Sequence, residues 1–211
     1  MINLKNSLVA FGVLALSALT SISANASLLL EPHLGYNLGS SVTYSGDFSG
    51  SAVTDMVFKN SGPEYGARAG LQYLGFMGGV AFTHSTYDWK LSNVPVVGST
   101  QWSMKRDEVG VFAGYNAPLF FRAWLGYYFS TKATITADYP TNGVTSGMWL
   151  SGHTTEIGLG FKFIPLLSLN IQYRMVSFDK STLSGTGETA ISPAISPKEI
   201  VVGVSLPFTL L

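Results

Sequence analysis

Four charged residues with strand-like spacing are the first candidates for chemistry in this chain of 211 residues. They are Arg68, Glu108, Glu156 and Arg174. Each stands on the polar side of a segment in which apolar and polar residues alternate, and successive side chains of a strand point to opposite faces. Charged groups that share an enclosed face must pair with one another. We therefore predict a polar network of ion pairs and hydrogen bonds.

A second grouping with catalytic residue types is "THST" at positions 83–86. A histidine base can activate a serine when the two side chains lie within hydrogen-bond reach. His84 and Ser85 are neighbours in a strand-like segment, so they point to opposite faces. Thr86 shares the face of His84 but is a poor substitute for a serine nucleophile. His33, His84 and His153 share no metal-ligand spacing. We therefore expect no enzyme, no metal and no cofactor.

A hairpin about Pro165 brings two of the four charged residues together. From Leu167 to Met175 every second residue is apolar or aromatic. Pairing this segment with the preceding one places Glu156 opposite Arg174, and opposite residues share a face. One face of the hairpin is then apolar, while the other carries Gly, Ser, Asn, Gln and the two charges.

Eight segments of this kind follow one another along the chain. Their connections alternate between long and short, which is typical of an up-and-down antiparallel barrel with short turns at one end and long loops at the other. Two of the long connections are the polar stretches 45–62 and 180–197. The predicted strands cover residues 30–44, 64–74, 76–91, 101–115, 120–134, 150–163, a segment from 167 onward, and 198–210.

The composition indicates which face of the barrel is inside. Charged residues make up only 11% of the chain, about half the usual share, and the polar faces are rich in Gly rather than in Lys or Glu. A narrow barrel interior accommodates small residues beside a few long charged ones. We therefore place the apolar face toward lipid. A soluble, lipocalin-like barrel with the opposite orientation is the alternative. The zero formal charge gives no reason to expect nucleic acid as a partner.

Aromatic residues are expected to form girdles at both membrane interfaces. At the short-turn end these would be Tyr73, Phe76, Tyr115, Phe120, Phe121, Phe163 and Phe208, and at the loop end Tyr44, Tyr65, Tyr87, Trp89 and Trp102. The apolar phase changes near His84, which indicates either a β-bulge or the point where the strand leaves the bilayer.

The first 26 residues have the features of a cleaved signal peptide. Lys5 is the positive charge, residues 8–19 are apolar, and Ala24-Asn25-Ala26 is an A-x-A cleavage pattern. A single N-terminal membrane helix is the alternative. Residues 27–211 are then one barrel domain, and no later run has 18 consecutive apolar residues.

The stretches "EPHLGYNLG", "EVGVFAGYNAPLFFRAWLGYYF" and "EIVVGVSLPFTLL" resemble the small OmpA/OmpX-like outer-membrane β-barrel family, and the resemblance covers residues 27–211. It implies an all-β, eight-stranded antiparallel up-and-down transmembrane barrel in the outer membrane of a Gram-negative bacterium, with periplasmic termini. The last stretch is similar to the C-terminal strand signal read by the barrel assembly machinery, carried here by Gly203, Leu206 and Phe208. It departs from that pattern at Val201, where a polar residue is usual.

The resemblance implies a structural or surface-interaction role, with a lumen closed by the polar network. The partners would be outer-membrane lipid, lipopolysaccharide and, during biogenesis, the assembly machinery. A narrow channel for ions or small solutes is one alternative. A barrel enzyme acting on lipid A is another, although lipid A deacylases place His and Ser on one face. In the external loops the candidate anchors for a binding partner are Tyr44, Phe48, Phe58, Tyr139 and Trp149.

Overall fold

The computed structural model describes residues 26–48, 51–94, 98–117, 120–136, 146–164, 166–182 and 187–210. Residues 1–25 of the predicted signal peptide, Tyr139 and Pro165 lie outside these ranges. The side chains of Phe48 and Phe163 are also outside the description. The described ranges contain ten strands: β1 Ser27–Phe48, β2 Ser51–Tyr73, β3 Phe76–Val94, β4 Gly98–Asn116, β5 Phe121–Ile135, β6 Trp149–Ile164, β7 Leu167–Ser181, β8 Thr189–Ile195, β9 Lys198–Ser205 and β10 Phe208–Leu210.

The strands form one closed antiparallel sheet. Each strand from β1 to β7 pairs with the next, and β8, β9 and β10 together occupy an eighth position between β7 and β1. The ring closes where β9 pairs with both neighbours, since Gly203 lies opposite Asn170 of β7 and Gly35 of β1. The predicted eight-stranded up-and-down barrel is therefore confirmed. Within the described residues, no helix is long and apolar enough to cross a membrane.

The short turns lie together at one end, which we call the short-turn end; the opposite end is the loop end. Between β2 and β3 the turn consists of Leu74 and Gly75, whose φ angles are 49° and 86°. Two consecutive positive φ angles define the type I′ turn, whose twist matches that of a hairpin. The hairpin predicted about Pro165 is also present, because Glu156 pairs with Arg174 and Leu159 with Ile171.

Several strands are longer than the sequence suggests. The predicted loop 45–62 is wrong, because β1 and β2 have 22 and 23 residues and pair through most of that stretch. The loop predicted at 180–197 contains β8. In the first case, Ser and Thr on the outer face gave the segment a loop-like composition. Its inner face carries Phe58, which is fully buried.

An apolar band surrounds the outside of the barrel next to the short-turn end. Apart from Leu167, which is partly exposed, its aliphatic and aromatic side chains are between 37% and 62% exposed although they are large. On β7 the band runs from Leu167 to Met175, about the length that a tilted strand needs to cross the hydrocarbon of a bilayer. Further members are Leu34, Val80, Phe82, Val109, Val111, Leu125, Ile157, Leu159, Ile200, Val202 and Val204.

Toward the loop end, the outer face of the barrel wall becomes polar and the inner face becomes apolar. There the outward residues are polar, such as Asp88 and Lys90, while the inward ones are apolar. Of the two explanations for the change of phase near His84, the bulge is absent, because β3 keeps one register with β4 from Phe76 to Leu91. The change of phase instead marks where the outer face turns polar. The inward residues form an upper apolar cluster: Tyr44, Phe58, Tyr87, Trp89, Trp102, Met104, Ala133, Ile135, Leu150, Val176, Phe178, Ile191 and Ile195.

The outward aromatic residues follow the prediction at one end of the band only. At the short-turn end, Tyr73, Phe76, Tyr115, Phe120 and Phe121 are exposed on the outer face. The loop-end prediction is wrong for four of its five residues, because Tyr44, Tyr87, Trp89 and Trp102 are at most 4% exposed and point into the barrel. Outward aromatic residues toward the loop end are Tyr36, Tyr65, Tyr127, Phe129 and Tyr173.

Candidate functional site: the charged layer in the lumen

A layer of charged side chains crosses the lumen at the height of the apolar band. All of its members point inward because they share the polar parity of their strands. None is more than 3% exposed, so water has almost no access to them. This charged layer consists of Glu31, Glu64, Arg68, Arg106, Glu108, Arg122, Glu156, Arg174 and Glu199.

Arg174 is the centre of the layer. Its Nη1 donates to Glu64 Oε2 at 2.6 Å and its Nη2 to Glu64 Oε1 at 3.0 Å, which makes a bidentate pair across the lumen between β7 and β2. Its Nε donates to Glu156 Oε2 on the neighbouring strand at 2.8 Å. The guanidinium therefore joins two carboxylates on opposite sides of the barrel.

Arg68 and Arg122 extend the layer toward the short-turn end. Arg68 donates to Glu156 at 3.0 Å and contacts Glu31 at 3.4 Å. Arg122 donates to the second oxygen of Glu31 at 2.5 Å. The Arg68 guanidinium also lies 4.4 Å from the ring centroid of Trp124, where the negative face of the indole attracts the cation.

Arg106 forms the matching pair toward the loop end. Its two terminal nitrogens each donate to one oxygen of Glu199 at 2.8 Å. Asn60 donates to the same carboxylate at 2.7 Å. The ring of Tyr87, a member of the upper apolar cluster, lies 5.4 Å from the Arg106 guanidinium. The charged layer therefore ends directly against apolar packing.

Glu108 is bound differently from the other four glutamates. Its Oε1 accepts hydrogen bonds from the hydroxyls of Thr154 at 2.6 Å and Thr131 at 3.3 Å. Its Oε2 lies 3.5 Å from both Arg106 Nε and Arg174 Nη1, without a hydrogen bond. Each of the other glutamates accepts a hydrogen bond from an arginine at 3.0 Å or less.

Glycines on the inner face provide the space that these long side chains need. A Cβ added at Gly158 would overlap the indole of Trp124, whose Nε1 donates to Glu156 at 2.5 Å. A Cβ at Gly160 would come within 2.6 Å of the Arg122 side chain. The Gly-rich polar face seen in the sequence is therefore the complement of the charged layer.

Apolar side chains cover the layer on both sides. Toward the loop end it meets the upper apolar cluster. Toward the short-turn end, a lower apolar cluster packs around Arg68 and Arg122: Leu29, Met77, Ala81, Phe112, Trp124 and Tyr128. A solute moving along the lumen would have to displace both the ion pairs and this packing.

The structure brings the four network residues proposed from the sequence into one layer, and it adds five more. The pair of Glu156 and Arg174 follows from hairpin register. Contacts across the lumen, such as that of Arg174 with Glu64, join strands that are not neighbours, so no pairing rule predicts them. Five members of the layer are not among the residues proposed from the sequence, although their inward parity could have identified them: Glu31, Glu64, Arg106, Arg122 and Glu199.

Four of the five proposed loop anchors lie in strands rather than in loops. Tyr44 and Phe58 lie in β1 and β2 with exposures of 3% and 0%, so both belong to the upper apolar cluster. Trp149 is the first residue of β6 and is partly exposed. Phe48 ends β1, and Tyr139 lies outside the described residues.

The remaining candidates are on the outer wall or at its closing strand. His84 faces outward with its Nδ1 2.7 Å from Asp107 Oδ1, whereas Ser85 is buried in the lumen on the other face. His33 is buried inside, and His153 lies on the loop-end part of β6. Gly203 belongs to β9, Leu206 lies between β9 and β10, and Phe208 begins β10.

This geometry is that of the small outer-membrane β-barrels, and the resemblance noted in the sequence is confirmed at the level of the fold. Neisserial surface protein A (NspA) superposes with a TM-score of 0.51 at 15% identity, over 87% of this chain and 99% of that one. The outer membrane protein OprG from Pseudomonas aeruginosa also gives 0.51, at 11% identity, over 87% and 96%. No family model and no curated protein sequence matches the chain.

Proposed function

We propose that this chain is an integral outer-membrane barrel with a structural or surface-interaction role, whose lumen does not conduct solutes. The observation that carries the proposal is the charged layer, in which nine inward charged side chains are at most 3% exposed. An eight-stranded barrel leaves an interior just wide enough for side chains. Here those side chains bond to each other across the lumen.

The packing on either side of the layer argues against the narrow-channel alternative. Conduction needs a continuous polar path, because an ion leaving water for an apolar region loses its hydration. In the described part of the chain, the charged layer meets the upper apolar cluster directly, where Tyr87 and Arg106 are in contact. The binding surface would then be the outer wall and the external loops rather than the lumen.

The placement of His84 supports a non-enzymatic role. Asp107 orients the imidazole as a carboxylate does in a catalytic triad, and this is the one observation that favours a lipid A hydrolase. The adjacent Ser85 points into the lumen, so it cannot reach a lipid that His84 faces. Retention of all lipid A acyl chains after expression is the expected result, and loss of one chain would contradict it.

The cellular setting belongs to the same proposal. The apolar band fits a bilayer, and the signal peptide 1–26 would direct export across the inner membrane. We place the protein in the outer membrane of a Gram-negative bacterium, with the termini and the short-turn end in the periplasm. Its partners would be lipid, lipopolysaccharide and the assembly machinery, which would read Gly203, Leu206 and Phe208.

Planar-bilayer recordings of the refolded protein test the closed lumen. Folding is verified first by the heat-dependent gel shift that folded barrels show, so that an absence of conductance from unfolded protein is not mistaken for a closed lumen. We expect no stable conductance steps in wild type. Reproducible single-channel steps from gel-shifted protein would overturn the proposal and favour the narrow channel.

A further inference from the structure

Two bulges flank one strand where the outer wall changes from apolar to polar. On β5, Phe129 is an extra residue in the pairing with both β4 and β6. On β7, Asp179 is an extra residue in the pairing with β6, and the pairing of β7 with β8 shifts register at the same position. Bulges bend a strand and redirect its side chains, and they recur next to functional sites. Here they open a recess over β6.

This recess, which we call the interface pocket, has a volume of about 450 Å³. Its walls combine aromatic rings with groups that bind anions and sugars. Among the residues that line it are Phe129, Lys132, Trp149, Ser151, His153 and Lys180.

Two lysines lie on either side of the pocket in one row. Register places Lys132 opposite Ser151, and Ser151 opposite Lys180, so all three side chains share the outer face. Lys132 forms no ion pair among the described residues, because its cross-strand neighbour Asp107 binds His84 instead, and its Nζ lies 4.9 Å from the ring centroid of Trp149. The interface pocket therefore offers an ammonium group that is not held in an ion pair.

The second lysine, Lys180, can exchange its present carboxylate partner for a ligand. Lys180 binds Glu188 at 2.9 Å, and this hydrogen bond raises the pKa of Lys180. Both side chains are about half exposed, and a surface ion pair of this kind is weak. Asp179 also lines the pocket and limits its positive charge. A doubly charged phosphate group can compete for Lys180 better than a single carboxylate in water can.

The height of the interface pocket points to an amphiphile as its occupant. Tyr127 and Phe129, just below the lysines, are 48% and 58% exposed and belong to the lipid-facing surface. Trp149, Ser151 and His153 lie beside or above them and are only partly exposed. A ligand that fills this recess must place an apolar part against the band and a polar, anionic part against the row of lysines.

We propose that the interface pocket binds the phosphorylated saccharide headgroup of an outer-leaflet glycolipid. Lys132 and Lys180 would hold the phosphate, Ser151 and His153 would bond to sugar hydroxyls, and the acyl chains would lie along Tyr127 and Phe129. The inference rests on the proposed function, because it requires the loop end to face the glycolipid leaflet. The inference goes beyond the proposed function because it names the residues that bind the glycolipid and the chemical group that they recognise.

Tryptophan fluorescence provides a direct readout of binding. Trp89, Trp102 and Trp124 are at most 4% exposed inside the barrel, so Trp149 is the tryptophan that a headgroup can reach. The refolded protein is titrated with vesicles that contain lipid A and, separately, with vesicles that contain dephosphorylated lipid A. The variant Trp149→Phe identifies the part of the signal that comes from the pocket.

The decisive variant is Lys132→Ala combined with Lys180→Ala, compared with Lys59→Ala combined with Lys90→Ala. The control pair removes the same charge from the outer face of β2 and β3, away from the pocket. We expect about tenfold weaker binding of lipid A for the pocket variant and a change below about twofold for the control.

Three results would overturn the inference. They are wild-type affinity of the pocket variant, equal binding of dephosphorylated lipid A, and full competition by inorganic phosphate at lipid A concentrations. The first result would show that the two lysines do not form the site. The second would show that the phosphate is not recognised, and the third that the lipid is not needed for binding. Failure of the proposed function would be seen separately, as conductance in the planar-bilayer recordings or as a reversed orientation in surface labelling of intact cells.

Discussion

At the scale of single residues, the charged layer contains one carboxylate more than its arginines can bind closely. The pairs Arg106–Glu199 and Arg174–Glu64 are bidentate. Glu108 receives hydrogen bonds from two threonine hydroxyls and only 3.5 Å contacts from arginines. The five glutamates are alike in parity and burial, so the sequence does not distinguish them. The difference arises from contacts across the lumen.

This asymmetry predicts unequal costs for the same charge removal. Glu199→Gln breaks a bidentate buried pair and leaves Arg106 without a strong partner, which should lower the free energy of unfolding by about 3–5 kcal/mol. Glu108→Gln keeps an oxygen for both threonines and should cost about 1 kcal/mol. Urea unfolding in detergent, followed by the gel shift, measures both variants. Equal costs for the two would contradict the assignment.

Gly158 gives a second prediction at this scale. A methyl group there overlaps the indole that donates to Glu156, so Gly158→Ala should destabilise the barrel by about 1–3 kcal/mol. Gly78→Ala is the matched control, because its Cβ would only touch the carbonyl of Phe112 at 3.4 Å. Both variants are compared by urea midpoint. A control as destabilised as Gly158→Ala would show that inner packing is not the cause.

At the scale of the strands, alternation predicted the lipid-facing segments well and the loop-end segments poorly. Each strand obeys one rule inside the apolar band, where lipid lies outside and polar groups lie inside. Beyond the band water is outside, so the same parity that carries Glu108 lower in β4 carries Trp102 and Met104 higher up. Alternation with a period of two does not indicate that the apolar face has changed from the outside to the inside of the barrel. It shows only a change of phase, as at His84.

Cysteine accessibility along β3 tests this change of face. The chain has no cysteine, so labelling of a single-cysteine variant has no background. In lipid vesicles, Asp88→Cys should react quickly with a water-soluble maleimide, because residue 88 lies on the polar outer face. Val80→Cys lies in the apolar band and should be protected. Similar rates at the two positions would show that the boundary lies elsewhere.

At the scale of the whole molecule, the barrel wall is uneven in height. Strands β1 to β4 have 19 to 23 residues, whereas β5 to β7 have 15 or 16. A tilted strand crosses the hydrocarbon with about 9–11 residues. The first four strands therefore project beyond the bilayer on the loop side. The upper apolar cluster, which takes side chains from β1 to β8, packs inside the loop end of the barrel.

Surface labelling of intact cells tests which side of the membrane this projection faces. Lys90→Cys lies on the loop-end part of β3, and Leu74→Cys lies in the turn at the opposite end. With a membrane-impermeant reagent, the variant at position 90 should be labelled on intact cells. The variant at position 74 should be labelled only after the outer membrane is permeabilised, because the short turns would face the periplasm. The reverse pattern would place the interface pocket in the inner leaflet and remove its glycolipid ligand.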